Sequence, residues 1–241
     1  MQSLKPSHFF AVAVLAATFI FAVPSVAQSQ QLDSTTADPQ HHKVVFENDQ
    51  VRVVHYLIGP GETTAKHSHP NSVAVYLTDA TGKVTTEDGK TSEAHATKGT
   101  AAWRPATTHV YQNIGDKPIE GILVEPRSPH SELPAGSVDE TSVAPGHAKV
   151  VFENEQVRVV HYLIQPGQKI AMHGHPDNVQ IALTDATAES TSPDNKTTTA
   201  PSKAGEVRWR PALQHSVVNT GSTPIEGFLV EMKGVSTTAN Q

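Results

Sequence analysis

The apolar positions of the chain fall in short runs, broken every few residues by Gly, Pro and polar side chains. Gln50 to Ile58 is dense in β-branched residues and is followed at once by the turn pair Pro60-Gly61. Ser72 to Leu77 reads as a second strand. Lys83 to Glu93 reads as a hairpin around Asp88-Gly89. Gly99 to Pro105, His109 to Asn113 and Ile119 to Glu125 complete the set. Glu47-Asn48 reads as a turn before the Gln50 strand. No stretch has the period of an amphipathic helix. Short strands with closely spaced Gly and Pro turns predict an all-β sandwich or barrel.

The same pattern is written twice. The residues Lys43 to Ile58 return as Lys149 to Ile164 with one change, Asp49 to Glu155. The spacing of 106 residues then holds throughout. It carries His67 to His173, His69 to His175, Gly99 to Gly205, Trp103 to Trp209, His109 to His215, Asn113 to Asn219 and Glu125 to Glu231. Two copies are too few for a solenoid. The expected organisation is two domains, 43–127 and 149–233, joined by a linker at 128–148 rich in Pro, Ser, Gly and acids. Each domain is small for a lone core, so the copies are expected to pack on each other. Polar tails are expected at 28–42 and 234–241.

One run departs from the strand pattern. Phe9 to Val23 is nearly continuously apolar, follows Lys5, and ends in Pro24 and Ser25-Val26-Ala27. A charged start, a short apolar middle and a small-residue end predict a secretory signal peptide over 1–27 and a periplasmic or secreted mature chain. The whole chain of 241 residues carries a formal charge of -6, and loss of Lys5 leaves about -7. An acidic chain with 17% charged and 5% aromatic residues is neither a coiled coil nor an expected nucleic-acid binder. After cleavage no membrane association is expected. The absence of cysteine excludes disulfides, thiol nucleophiles and Cys-ligated metals.

The chain has 14 histidines, and they carry the candidate chemistry. His67 and His69 are two apart, as are His173 and His175, so on a strand each pair shares one face. A third histidine follows 40 residues later in each copy, His109 and His215. A strand recrossing a small barrel would return it to the same point. Three imidazoles suit a divalent transition metal.

These residues resemble the cupin superfamily in its two-domain, bicupin form. The family's first motif runs G-x5-H-x-H-x3,4-E-x6-G. Gly61-x5-His67-x-His69 and Gly167-x5-His173-x-His175 match its first half. The second runs G-x5-P-x-G-x2-H-x3-N. Gly99-x5-Pro105 with His109-x3-Asn113, and Gly205-x5-Pro211 with His215-x3-Asn219, match most of it. The resemblance implies two tandem jelly-roll β-barrels. There are two departures. The loop before the third histidine lacks the motif glycine and is one residue shorter. The motif glutamate is also absent, its place falling at Ala74 and Gln180 (Val73 and Val179 under the shorter spacing).

The resemblance implies that His67, His69 and His109, and His173, His175 and His215, hold a metal, with Gln180 as an added carbonyl donor that equips copy two slightly better. Fe(II) is the favoured ion, with Zn, Mn, Ni and Cu as alternatives. Without a carboxylate ligand the site keeps a net +2 charge and open positions, which favours a small anionic, bidentate ligand. Three-His cupins of similar pattern include thiol and diketone-cleaving dioxygenases. A mononuclear metal dioxygenase is the expectation, with a non-catalytic metal or small-ligand binder, or a structural bicupin with empty sites, as alternatives. Arg104 and Arg210, just before the motif proline, are candidate clamps for a substrate carboxylate. His55 and His161 read as half-buried strand residues with a local hydrogen bond. Trp103, Trp209, Tyr56 and Tyr162 read as packing, and Asn113 and Asn219 as turn or strand-edge residues. A homo-oligomer is left open.

Overall fold

The computed structural model describes residues 32–127 and 131–233. The leader expected at 1–27 and the tail at 234–241 lie outside the described residues. No helix among the described residues is long and apolar enough to cross a membrane.

Copy one begins with the single-turn helix α1 (Ser34–Ala37). Nine strands follow: β1 (His42–Glu47), β2 (Val51–Ile58), β3 (His67–His69), β4 (Ser72–Tyr76), β5 (Ala80–Thr86), β6 (Thr91–Ala96), β7 (Ala101–Arg104), β8 (Thr107–Asn113) and β9 (Ile119–Pro126). Copy two repeats this with α2 (Glu140–Val143), β10 (Ala148–Glu153), β11 (Val157–Ile164), β12 (Lys169–His175), β13 (Asn178–Ala182), β14 (Ala186–Thr191), β15 (Thr197–Ser202), β16 (Val207–Arg210), β17 (Leu213–Asn219) and β18 (Ile225–Met232). In copy one a five-stranded sheet, β1-β2-β9-β4-β7, faces a four-stranded sheet, β3-β8-β5-β6. Copy two has the equivalent pair, β10-β11-β18-β13-β16 and β12-β17-β14-β15. The pairings are antiparallel. These are two tandem jelly rolls.

The central strands of each five-stranded sheet are buried on both faces, which is why Val51–Ile58 reads as a dense apolar run. On β2, Val54, Tyr56 and Ile58 point between the two sheets of copy one, packing with Ala80, Tyr76 and Leu123. Val51 and Val53 point the other way. There, with Val73, Val75, Ile122 and Val124, they form one cluster with Val157, Val159, Val179, Ile181, Phe228, Val230 and Met232 of copy two. The two five-stranded sheets thus share a core. Around it Phe46 stacks on Trp209 with ring centroids 5.9 Å apart. The Gln50 amide donates to Asp177 (2.8 Å), and Asn71 donates to Gln156 (3.1 Å).

The segments before the two copies differ from expectation. Residues Leu32 to His42 are not a free tail but part of copy one. The Ser68 amide donates to the Leu32 carbonyl (2.6 Å), Asp33 caps α1, and Arg52 pairs with Asp33. The end of the expected linker does the same for copy two. The Gly174 amide donates to the Val138 carbonyl (2.8 Å), and Arg158 pairs with Asp139. The repeat therefore starts about ten residues earlier than Lys43 and Lys149. The matches Asp33/Asp139, Thr35/Thr141, Pro39/Pro145 and His41/His147 at the same spacing are its signal.

Candidate metal centres

In copy one His67 and His69 lie on β3, and the register sets His67 directly opposite His109 on β8. The rings of His67 and His69 are 4.7 Å apart, as are those of His67 and His109, while His69 and His109 are 5.5 Å apart. Copy two repeats the arrangement, His173 opposite His215, with ring separations of 4.8, 4.7 and 5.4 Å among its three histidines. The three imidazoles predicted for each copy therefore come together.

A fourth histidine joins copy one. His42, at the start of β1 in the facing sheet, is 4% exposed and sets its ring 4.6 Å from His67 and 5.4 Å from His69. The ligand atoms of His42, His67 and His69 all lie within 4.8 Å of one another. His109 stands beside them, its Nε2 3.1 Å from Nε2 of His67. Two imine nitrogens that close repel unless a proton or a cation lies between them. His42 falls in the segment expected to be a tail, and its counterpart is Ala148, so neither the motif nor the repeat points to it.

Hydrogen bonds behind the rings decide which nitrogen faces inward. Nδ1 of His67 meets the Ala65 carbonyl at 2.8 Å, and Nδ1 of His173 meets that of Ala171 at 2.7 Å. Nδ1 of His175 contacts Glu231 at 3.2 Å, and Nδ1 of His215 contacts the Ser190 hydroxyl at 2.9 Å. In copy one Nδ1 of His69 faces Glu125 at 3.6 Å. Each of these five rings thus turns Nε2 toward the centre. In copy two the ligand atoms of all three histidines lie within 4.8 Å of one another, and Nε2 of His173 is buried with no partner. The carboxylates are themselves held: Arg52 joins Glu125 to Asp33, and Arg158 joins Glu231 to Asp139. The sequence showed Glu125 and Glu231 only as a repeated pair. Their role appears once β9 and β18 are seen to pass behind the histidines.

Burial favours the neutral form of His42, His67, His109, His173, His175 and His215. It pushes His67 and His173 down to about 4 and His42 and His109 to about 3, and it lowers His175 and His215 as well. Neighbouring rings add to the effect for His42, His67, His109, His173 and His215. Neutral imidazoles keep a free lone pair at pH 7, the state a metal requires. In copy two burial also raises Glu140 to about 6 and Glu231 to about 7. An orphaned nitrogen, convergent Nε2 atoms and neutral rings together fit a divalent transition metal.

The copies differ in the space beside the histidines. In copy one they open on a cavity of about 410 Å³, walled by Tyr56, Ile58, Ala74, Tyr76, Arg104 and Leu123 among others. In copy two the corresponding cavity is about 70 Å³. The larger residues Gln180 and Arg208 replace Ala74 and Ala102, and Glu140 replaces Ser34. Copy one, not the slightly favoured copy two, has room for a ligand.

Arg104 lies on the wall of the large cavity. Its Nε donates to the Tyr76 hydroxyl at 3.0 Å, and a second nitrogen, Nη2, also contacts that hydroxyl. Arg210 lines the small cavity and donates to the Gln180 carbonyl oxygen at 3.2 Å, while the Gln180 amide donates to Tyr162 (2.9 Å). Gln180 is thus tied to the wall at both ends of its amide. His55 and His161 contact Glu120 and Glu226 at 2.8 and 2.9 Å, away from the centres. Trp103 and Trp209 pack against the shared core. Asn113 and Asn219 are fully buried, each donating to two carbonyls.

No family model and no curated protein matches the sequence. Solved structures do match the fold. Oxalate decarboxylase from Bacillus subtilis aligns with a TM-score of 0.56 at 15% identity, over 80% of this chain and 71% of that one. That enzyme carries Mn(II) centres. Salicylate 1,2-dioxygenase from Pseudoaminobacter salicylatoxidans aligns with a TM-score of 0.53 at 13% identity, over 78% and 70%. A cupin 2 conserved barrel domain protein from Leptotrichia buccalis aligns with a TM-score of 0.50 at 13% identity, over 80% and 88%.

Proposed function

Starting from a chain that folds as two tandem cupin barrels, a bicupin, we propose that it binds a divalent transition metal and acts on a small anionic molecule in copy one. The observation that carries this reading is the meeting of buried, neutral imidazoles with a roomy cavity whose wall holds a guanidinium. His67, His69 and His109, with His42 beside them, would hold the ion. Bound there, a metal such as Fe(II) supplies Lewis acidity and access to O2 chemistry.

The chain's own groups do the rest. Arg104 binds a substrate carboxylate through its planar fork, and the Tyr76 hydroxyl, accepting from that fork, fixes its direction. Ile58, Ala74, Ile119 and Leu123 give the cavity an apolar wall that excludes water. The Ala65 carbonyl holds His67 in the tautomer that presents Nε2, and the Glu125 carboxylate stands 3.6 Å behind Nδ1 of His69. Two neighbours of the same fold are named for small carboxylates, oxalate and salicylate, which supports an anionic substrate. The reaction class we propose is that of a mononuclear non-haem metal dioxygenase.

The test is to strip the protein with chelator, reload it with Fe(II), and offer hydroxybenzoates, thiols and diketones while following O2 uptake. Uptake above that of free iron, lost in His67→Ala/His69→Ala, is the expected result. No uptake with any class removes the dioxygenase. A second reading, capture of a metal or small ligand without turnover, is favoured for copy two, whose cavity of about 70 Å³ leaves little room for a substrate. We also propose export to the periplasm or beyond, supported by the apolar run Phe9 to Val23 and the small residues before Gln28. An intact Met1 in the mature protein would overturn it.

A further inference from the structure

Each copy brings one extra donor to its histidines, and the two donors differ. Copy one brings His42, whose counterpart in copy two is Ala148. Copy two brings Glu140 from α2, whose counterpart in copy one is Ser34. Glu140 is 6% exposed, and its Oε2 is buried with no hydrogen-bond partner. That oxygen lies 3.9 Å from Nε2 of His175. The same ring turns its Nδ1 to Glu231, so Nε2 is the nitrogen left for an ion. Two atoms bound to one ion at about 2.1 Å each lie no more than about 4.2 Å apart, so the spacing to His175 is within reach of a shared ion. Glu140 stands outside the set of His173, His175 and His215, whose ligand atoms all lie within 4.8 Å of one another, so its carboxylate must swing inward to join the ion they hold.

The backbone around Glu140 is held in place. Asp139 pairs with Arg158 and caps α2. The Val138 carbonyl accepts from the amide of Gly174, the residue between His173 and His175. A Cβ at Gly174 would collide with Ser137 Oγ, so glycine leaves room for that side chain beside a backbone contact that both copies make. Copy one has Ser68 at that position.

We infer that Glu140 supplies copy two with the carboxylate ligand its motif position lacks, so that the chain carries two unlike sites: three imidazoles and a carboxylate in copy two, imidazoles alone in copy one. This rests on the metal-binding reading above. A divalent ion keeps a net charge of +1 in copy two and +2 in copy one. Carboxylate donors suit Mn(II), while all-imidazole sets suit Zn, Cu, Fe and Ni. The chain therefore sorts metals between its halves.

The experiment uses the full chain, stripped with chelator. His67→Ala/His69→Ala retains the copy-two site, and His173→Ala/His175→Ala retains the copy-one site. Mn(II) binding is titrated by the electron paramagnetic resonance signal of the free ion, and Zn(II) by competition with a chromophoric chelator. The expected result is that Mn(II) prefers the copy-two protein and that Glu140→Gln weakens it at least about tenfold. Glu140→Gln leaves Zn(II) binding by the copy-one protein unchanged. Unchanged Mn(II) affinity in Glu140→Gln overturns this inference alone. Absence of any bound metal in the wild type overturns the metal-binding reading itself. Should Glu140→Gln lose its circular dichroism, difference infrared spectra of the Mn-loaded copy-two protein decide. A shifted carboxylate stretch supports ligation, and an unshifted spectrum refutes it.

Discussion

The shared core makes Ile181 a test of whether the two barrels are one folding unit. Ile181 lies on β13, is fully buried, and pairs with Phe228 and Val207 on the flanking strands. It belongs to the cluster that includes Val51, Val73 and Val124 of copy one. An Ile→Ala change in a core costs about 2–5 kcal/mol, the cost rising when the surroundings cannot collapse. Here two hydrogen-bonded sheets form the walls, so Ile181→Ala should fall in the upper half, about 4 kcal/mol. At this chain length that lowers Tm by about 10 °C. The two tryptophans allow each copy to be read separately, Trp103 for copy one and Trp209 for copy two. Urea unfolding of Trp103→Phe and Trp209→Phe backgrounds, each with and without Ile181→Ala, gives the answer. If the core is shared, the loss in copy two shifts both transitions together. A Trp103 signal that keeps its midpoint while that of Trp209 falls would refute the coupling.

Three further outcomes are expected. The metal-free protein loses stability as pH falls from 7 to 5. Its histidines have folded pKa values held below the unfolded value of about 6.5, so the unfolded chain binds more protons, at about 2 kcal/mol per such histidine at pH 5. In copy two the raised Glu140 and Glu231 act in the opposite sense, their penalty at pH 7 being relieved on acidification. Because the barrels share a core, both tryptophans should report one drop, and it should deepen in Glu140→Gln, which removes an opposing group; an unchanged drop in that variant would contradict this account. Arg52→Met leaves Asp33 and the buried Glu125 without their cation, which should cost about 3–5 kcal/mol and speed amide hydrogen exchange in residues 33–42. Arg104→Gln should weaken binding of a carboxylate ligand by copy one about tenfold with metal content unchanged, as read by calorimetry and elemental analysis.

What could be read beforehand followed from local pattern. Strands buried on both faces appear as unbroken β-branched runs, and a His-x-His pair on a strand must point one way. The ladder that sets His67 against His109 then makes three imidazoles meet. His42 escaped because nothing local marks it: it sits 25 residues before His67, in the opposite sheet, and only closure of the barrel brings it near. Gln180 shows the converse. Its chemistry permits a carbonyl ligand, but Arg210 and Tyr162 engage its amide, and that competition exists only in the packed state.

The pattern of change between the copies argues that scaffold and pockets answer to different constraints. At the shared core the counterparts stay apolar: Val51/Val157, Val53/Val159, Val73/Val179, Val75/Ile181, Ile122/Phe228 and Val124/Val230. Behind the histidines Arg52/Arg158, Asp33/Asp139 and Glu125/Glu231 are unchanged. Around the cavities the chemistry changes class: Ala74 becomes Gln180, Tyr76 becomes Ala182, Ala102 becomes Arg208, Ser34 becomes Glu140 and His42 becomes Ala148. Exposed positions change as well, among them Glu93/Thr199 and Lys98/Ala204, where no function need follow. The changes beside the histidines differ in kind: they alter cavity volume and donor chemistry around rings that both copies keep, as two sites with different ligands would require.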